Sequence, residues 1–182
     1  LTLVQSSNML RFEGPTKLLR LTQRRESDPD TYIRASNGRW NLETGELGVR
    51  GPVRALRRKD LTVTASALQG NTQQGFLDLI QPVRLEQQDG AINAGTTRWN
   101  LAEQRLRSIA PFQGKRQDAT AMGNGFVIDE AATTVIIPKA CQLTQPGESL
   151  KAHRCSWNWM TNRVVADGDV VLRRHIPTRR PG

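Results

Sequence analysis

The side chains that most often carry out chemistry are few in this sequence and form no recognisable reactive set. His153 and His175 are its two histidines, and neither has further donors at the spacing that a metal site requires. His153 lies two residues from Cys155, but that spacing on a strand is too generic to indicate an imidazole-activated thiol. No Ser-His-Asp set, facing carboxylate pair or phosphate-binding loop emerges from the sequence. We therefore predict a protein that is not an enzyme, with no catalytic residues, no metal and no cofactor.

The two cysteines, Cys141 and Cys155, flank a predicted turn at Pro146-Gly147-Glu148. A hairpin symmetric about Glu148 places them opposite one another and favours a disulfide, which suits an oxidising compartment. If the register instead copies an upstream hairpin, Pro138 falls near Cys155 and the two thiols miss each other. The sequence leaves both registers open.

Basic residues exceed acidic ones, giving a formal net charge of +9. Such a surplus favours anionic partners such as nucleic acid, anionic lipid headgroups or acidic polysaccharide. Two groups are prominent: a cluster at Arg54, Arg57, Arg58 and Lys59, and a recurring outward set at Arg84, Arg98, Arg105 and Arg107. They either contact phosphate or carboxylate groups of a ligand or form an ordinary solvated surface.

The elements that would position these groups are marked by a repeated tryptophan phrase. Arg-Trp-Asn-Leu occurs around Trp40 and Trp99, and the divergent Ser-Trp-Asn-Trp occurs around Trp157. The three tryptophans are spaced 59 and 58 residues apart. In each copy the tryptophan and the apolar residue two positions later share one face of a strand. Turns follow at 43–45 and 102–104, so each phrase predicts a hairpin corner.

Strands are also predicted upstream of each tryptophan. Pro15, Pro82 and Pro138 each stand where a strand begins, a position that tolerates the missing N–H group. Gln88-Asp89-Gly90 predicts a hairpin turn, followed by a return strand over 92–99.

Residues 60–68 alternate, which predicts one strand with Leu61, Val63, Ala65 and Ala67 on a single face. The repeat is thus a unit of about four short strands. Stacked antiparallel units of this kind bury an apolar strip between two facing sheets. We predict an all-β fold with a single repetitive domain over 1–174 and a basic tail over 175–182.

Taken together, these phrases resemble the repeat of the OstA-like lipopolysaccharide-transport family, the group of periplasmic LptA and LptC proteins. The resemblance runs from about Met9 to Arg173 and weakens in the third copy, where Trp159 replaces the leucine. It implies an elongated, open β-jellyroll that is V-shaped in section and holds the acyl chains of lipopolysaccharide between its sheets. The apolar residues expected to contact lipid are Trp40, Leu42, Leu61, Val63, Leu79, Val83, Leu85, Ile92, Trp99, Leu101, Val135, Ile137 and Trp157.

The resemblance also implies partners and a location. Jellyrolls of this family join by edge-strand pairing into a bridge from the inner to the outer membrane, so we expect other jellyroll transport proteins, an inner-membrane transporter complex or a second copy as partners. The expected location is the periplasm, with a signal or inner-membrane anchor lying outside this chain. The resemblance does not separate an LptA-like from an LptC-like protein.

Two other functions stay open. One is a basic β-module that binds nucleic acid or acidic polysaccharide through the +9 charge. Nucleic acid is not expected, because single-strand binders stack bases on exposed aromatic rings and these tryptophans occupy strand positions that predict burial. The other is a structural adapter whose apolar faces simply pack against each other. Steep salt dependence of binding would indicate a phosphate-backbone ligand, whereas salt-resistant binding would indicate acyl chains.

Overall fold

The computed structural model describes residues 2–4, 8–13, 17–21, 31–57 and 60–175, and for residues 2–4 and 17–21 it describes the backbone alone. These residues form strands and connecting turns, and no helix among them is long and apolar enough to cross a membrane.

The strands before Ile80 are β1 (Thr2–Val4), β2 (Met9–Phe12), β3 (Lys17–Leu21), β4 (Thr31–Ala35), β5 (Gly38–Asn41), β6 (Glu46–Val49), β7 (Val53–Arg57), β8 (Leu61–Ala65), β9 (Ala67–Asn71) and β10 (Phe76–Ile80). Those that follow are β11 (Val83–Gln87), β12 (Gly90–Ala94), β13 (Thr97–Asn100), β14 (Arg105–Arg116), β15 (Ala119–Asp129), β16 (Thr134–Ile137), β17 (Cys141–Gln145), β18 (Glu148–Ala152), β19 (Arg154–Asn158), β20 (Arg163–Asp167) and β21 (Val171–Arg174).

Antiparallel pairing arranges these strands in two facing layers. The first sheet runs β1-β2-β5-β6-β9-β10-β13-β14-β15-β16-β19-β20. The second runs β3-β4-β7-β8-β11-β12-β14-β15-β17-β18-β21. The long strands β14 and β15 belong to both sheets, because one half of each pairs with β13 or β16 and the other half with β12 or β17. Their mutual register shifts between Ser108 and Pro111, where they cross between the layers. The predicted all-β fold of stacked antiparallel hairpins in two facing sheets is confirmed.

The structural repeat is half as long as the repeat seen in the sequence. Hairpin turns of the first sheet start from an Asn or Asp every 29 or 30 residues: Asn41, Asn71, Asn100, Asp129 and Asn158. The side-chain oxygen of each accepts hydrogen bonds from backbone N–H groups two or three residues later. The residue before this Asn or Asp is in turn Trp40, Gly70, Trp99, Ile128 and Trp157. Tryptophan thus appears in every second unit, which doubles the apparent period.

The chain crosses between the sheets on one side of the molecule, here called the closed side, and the hairpin turns of both sheets lie on the opposite, open side. Ser66 is one such crossing: its hydroxyl donates to the carbonyl oxygens of Ile80 and Gln81 at 3.2 and 2.6 Å. The single strand predicted over 60–68 is therefore wrong, because the chain changes sheets at Ser66 and Ala67 opens β9. The return strand predicted over 92–99 is likewise divided, into β12 and β13.

The inward faces of the two sheets form one apolar core. Its fully buried side chains come from both layers, including Ile33 and Val63 of the second sheet and Leu77 and Trp99 of the first. Phe112 and Phe126 pack edge to face with ring centroids 5.2 Å apart. The predicted turns at 43–45, 88–90 and 102–104 are confirmed. Pro15 and the tail beyond His175 lie outside the described residues.

Candidate apolar cleft

The structure places the apolar residues predicted as ligand contacts in three different environments. Those that are buried in the packed core are Val63, Leu79, Val83, Leu85, Trp99, Leu101 and Ile137. Those that are half-buried are Trp40, Leu61, Ile92, Val135 and Trp157, and all but Trp157 pack against that core. Leu42 is 45% exposed.

The predicted inward position of Leu42 is wrong. Strand β5 ends at Asn41, whose side-chain oxygen caps the backbone N–H groups of Glu43 and Thr44 at 2.9 and 3.0 Å. The turn therefore starts directly after Asn41, and Leu42 belongs to the turn rather than to the strand. Leu101 has the same place after Asn100 but is buried, so the neighbours of each turn, and not the turn itself, decide the exposure.

Midway along the molecule, a buried cation, Arg57, covers the interior on its open side. Alternation with Val53 and Ala55 turns this side chain inward, where it has no solvent exposure. Its guanidinium carbon lies 5.2 Å from the centroid of the Trp99 ring, and its Nε lies 3.1 Å from the carboxylate of Glu130.

The indole N–H of Trp99 donates to that same carboxylate at 3.2 Å. Because Arg57 ends a strand of the second sheet and Trp99 lies in the first, we call this contact the Arg57 bridge. The prediction that Arg57 belongs to a basic surface cluster is therefore wrong. Arg58 and Lys59 of that cluster lie outside the described residues.

Beyond the bridge, towards the C-terminal end, the inward apolar side chains are less buried than in the core, and we call this part of the interior the C-terminal cleft. Its apolar side chains come from both sheets and are only half-buried or exposed: Ala121, Leu143, Leu150 and Leu172 of the second sheet, and Ile128, Val135, Trp157 and Val164 of the first. Alternation from the buried Cys141, Ala152 and Cys155 turns Leu143, Leu150 and Trp157 inward. Val164 and Leu172, opposite Trp157 and Leu150 in register, are 44% and 49% exposed.

A disulfide closes the base of this cleft. Cys141 of β17 and Cys155 of β19 are joined, with Cα atoms 5.9 Å apart, and both are buried. Ile137 pairs with Cys155. This pairing is the second of the two registers considered from the sequence, the one that copies the upstream hairpin, and from the sequence it predicted no disulfide. The cysteines still meet because the chain crosses between sheets after Ile137, so the disulfide ties one sheet to the other. Val83 and Thr97 lie 58 residues before Cys141 and Cys155, at the equivalent positions of the previous repeat, and they are also buried.

The open side of the cleft carries a second arginine–tryptophan contact. The guanidinium carbon of Arg116 lies 5.4 Å from the centroid of the Trp157 ring, and its Nε lies 3.2 Å from the carboxylate of Asp89. A side-chain hydrogen bond from Gln117 is the main cause that lowers the pKa of Asp89, and Arg116 adds to it. The indole N–H of Trp157 donates to the amide oxygen of Asn162 at 3.1 Å. This contact is half exposed, unlike the Arg57 bridge, and so closes the cleft less tightly.

Sequence reasoning missed most of the cleft. Leu143 and Leu150 alternate with Cys141 and Ala152 about the turn at Pro146-Gly147, and that pattern was available in the sequence.

Two of the four arginines predicted to face outward form ion pairs with a neighbouring strand or turn. Arg98 pairs with Asp78 at 2.7 Å and Arg105 pairs with Asp129 at 3.2 Å. The side-chain hydrogen bond from Arg98 to Asp78 raises the pKa of Arg98.

These features define a class of protein: an all-β jellyroll whose sheets are connected along one side and face each other across an apolar interior. No protein-family model matches the sequence, and no curated protein matches it. Among solved structures the chain is similar to LptH of Pseudomonas aeruginosa, described as the LptA-homologous periplasmic component of the conserved lipopolysaccharide transport device. The two share 12% identity with a TM-score of 0.59, over 64% of this chain and 95% of that chain. This likeness confirms the predicted fold.

Proposed function

We propose that the protein is a periplasmic lipopolysaccharide-binding component of the transport bridge between the inner and outer membranes, and that it holds acyl chains in the C-terminal cleft. The observation that carries the proposal is that inward-facing apolar side chains of both sheets become less buried towards this end, so that Trp157, Val164 and Leu172 keep solvent exposure. The fold likeness to LptH supports the class of ligand.

The physical basis is the burial of hydrocarbon. Each methylene group moved from water into the cleft contributes about 0.8 kcal/mol, so partial burial of a few acyl chains supports reversible binding. The open side lets the polar headgroup stay in water while the chains lie between the sheets. The energy for directional movement then comes from a partner, for which an inner-membrane transporter complex is the natural candidate.

Placing the acyl chains in the C-terminal cleft reduces the number of lipid-contacting residues proposed from the sequence. Val135 and Trp157 remain, and Leu143 and Leu150 join them from the opposite sheet. The buried residues around Trp99 instead form the packed core that holds the two sheets in position.

We also propose that the C-terminal end docks another jellyroll by edge-strand pairing. Within the described residues β20 pairs only with β19, and β21 only with β18, so each presents an edge. Val165 and Val171 on these strands are 49% and 47% exposed. Exposed apolar edges of this kind accept a further strand. The buried disulfide is compatible with the oxidising periplasm.

The test is lipopolysaccharide binding, measured by native mass spectrometry at low and high salt. Leu143→Glu and Leu150→Glu place a carboxylate in the cleft, and Ile109→Glu is the matched control, because Ile109 is 85% exposed. We expect salt-resistant binding by the native protein, weakened about tenfold or more in the cleft variants, since the acyl chains lose their apolar contact. Circular dichroism confirms that each variant folds. Binding that salt abolishes and the cleft variants leave unchanged would contradict the proposal.

A further inference from the structure

The outer face of the second sheet carries a transverse line of cations that the sequence did not group together. Arg34 of β4 lies directly opposite Arg54 of β7, Arg54 lies opposite Thr64 of β8, and Thr64 lies opposite Arg84 of β11. The three arginines are exposed. We call these four residues the arginine row.

Like charges directly opposite on neighbouring strands destabilise a sheet. Arg34 and Arg54 are such a pair, and neither forms an ion pair within the described part of the chain. Arg84 is partly neutralised, because its Nε contacts Glu86 while its Nη1 donates to the side-chain oxygen of Asn93 at 2.9 Å. The row thus keeps a net positive charge that no ion pair among the described residues cancels at Arg34 and Arg54.

A surface depression adjoins the same row. Its volume is about 700 Å³, and Thr64, Arg84, Asn93 and Gly95 are among the residues that line it. Thr64 is shorter than the arginines on either side of it, which stand two strand spacings apart, roughly 10 Å. Arg34 and Arg54 do not line this depression, which adjoins the row at Thr64 and Arg84. In the register of the strands the Thr64 hydroxyl lies between the positions of Arg54 and Arg84, and hydroxyl and guanidinium donors suit the oxygens of a phosphate group.

We propose that the arginine row is a phosphate-binding site on the outside of the molecule, separate from the C-terminal cleft. The opposed pair Arg34 and Arg54 contacts the phosphate, Thr64 donates from the neighbouring strand, and Arg84, which keeps its contacts with Glu86 and Asn93, adds charge at the end of the row. The phosphate belongs either to a soluble phosphorylated molecule or to a lipid headgroup at a membrane surface. The site does not depend on lipid binding between the sheets.

The experiment compares two double variants that remove the same charge from equivalent positions. Arg34→Gln/Arg54→Gln removes the opposed pair in the row. Arg11→Gln/Arg39→Gln is the matched control, because Arg11 and Arg39 are also exposed and directly opposed, but on the first sheet. Thermal unfolding verifies that both variants fold.

Inorganic phosphate is titrated at constant ionic strength while backbone amide shifts are followed by NMR. We expect saturable shifts at Thr64 and Arg84 in the native protein, with an apparent Kd raised about tenfold in the row variant and less than about twofold in the control. Absence of saturable shifts at the row, or an equal loss in both variants, would overturn the proposal.

A second arm uses vesicles of phosphatidylglycerol and phosphatidylcholine in a flotation assay. If the row variant binds vesicles about tenfold more weakly than the control, the phosphate is that of a lipid headgroup. If vesicle binding is equal in both while the phosphate response persists, the ligand is soluble. Both results support the site and differ only in the source of its phosphate.

Discussion

Arg57 shows how a charged residue can be built into a β-sheet interior. The side chain is fully buried, with the Trp99 ring on one side and the Glu130 carboxylate beside it. Burial of a charge costs several kcal/mol unless a partner of opposite charge compensates it. The carboxylate and the ring provide that compensation, and they connect the two sheets across the open side.

We expect Arg57→Met to lower the free energy of unfolding by about 3–5 kcal/mol, because Glu130 keeps its charge without its partner. The double variant Arg57→Met/Glu130→Gln removes both charges and should recover most of the loss. Urea unfolding at neutral pH measures both values. Equal losses in the single and double variants would contradict a compensated pair and point to packing alone.

The sequence did not predict this pair, for a physical reason. Alternation from Val53 and Ala55 places Arg57 inward, but the usual exposure of arginine argues the opposite. The deciding partner, Glu130, lies in a hairpin turn far along the chain, and only the stacking of units brings the two together.

At the scale of elements, the sequence predicted that the repeat consists of hairpins, but it predicted a repeat twice as long as the one in the structure. The tryptophans revealed a repeat because they are rare and conspicuous, yet they occupy only alternate units. In the intervening units Gly70 and Ile128 take the same position. At Gly70 an added Cβ would lie 2.5 Å from the backbone oxygen of Phe76, so this position excludes a larger residue without rearrangement. When the same turn recurs along the chain but the residue before it changes, the repeat is hard to detect from residue identity alone.

The disulfide allows a matched test of what it contributes. We expect Cys141→Val/Cys155→Thr to lower the free energy of unfolding by about 3 kcal/mol, because the crosslink limits the unfolded chain across a separation of 14 residues. Valine and threonine are chosen because they occupy the equivalent buried positions, Val83 and Thr97.

Urea unfolding with and without dithiothreitol gives the measurement for the disulfide. Reductant should destabilise the native protein and leave the variant unchanged. If the native protein and the variant unfold at the same urea concentration without reductant, the disulfide does not stabilise the fold.

At the scale of the whole molecule, the interior is filled in the middle and open at one end. Units in the middle have a hairpin on each side, so their inward residues, such as Leu77 and Val63, are buried completely. The last hairpins have a described neighbour on one side only, so Val164 and Leu172 stay exposed. The sequence predicted two apolar faces, but periodicity alone does not distinguish a packed interior from an open cleft, because both use the same alternation.

The exposed end also predicts association. Val165→Lys/Val171→Lys places charges on both edge strands, and we expect it to reduce self-association of the chain at least about tenfold, since a lysine on an edge opposes strand addition. Sedimentation equilibrium over a range of concentrations measures this change. Ile109→Lys, which adds a charge on an exposed residue away from the edge, should leave association unchanged. A native chain that stays monomeric throughout would argue against a second copy as the edge partner.

The claim that acyl chains occupy the C-terminal cleft is tested most directly by site-specific photo-crosslinking to lipopolysaccharide. The photoreactive residue p-benzoylphenylalanine is placed singly at Leu143, Leu150 or Trp157 within the cleft, and at Ile109 outside it. We predict ultraviolet-dependent lipopolysaccharide adducts at the three cleft positions and none at Ile109. Adducts at Ile109 alone, or no adduct at any cleft position in folded protein that binds lipopolysaccharide, would contradict the account.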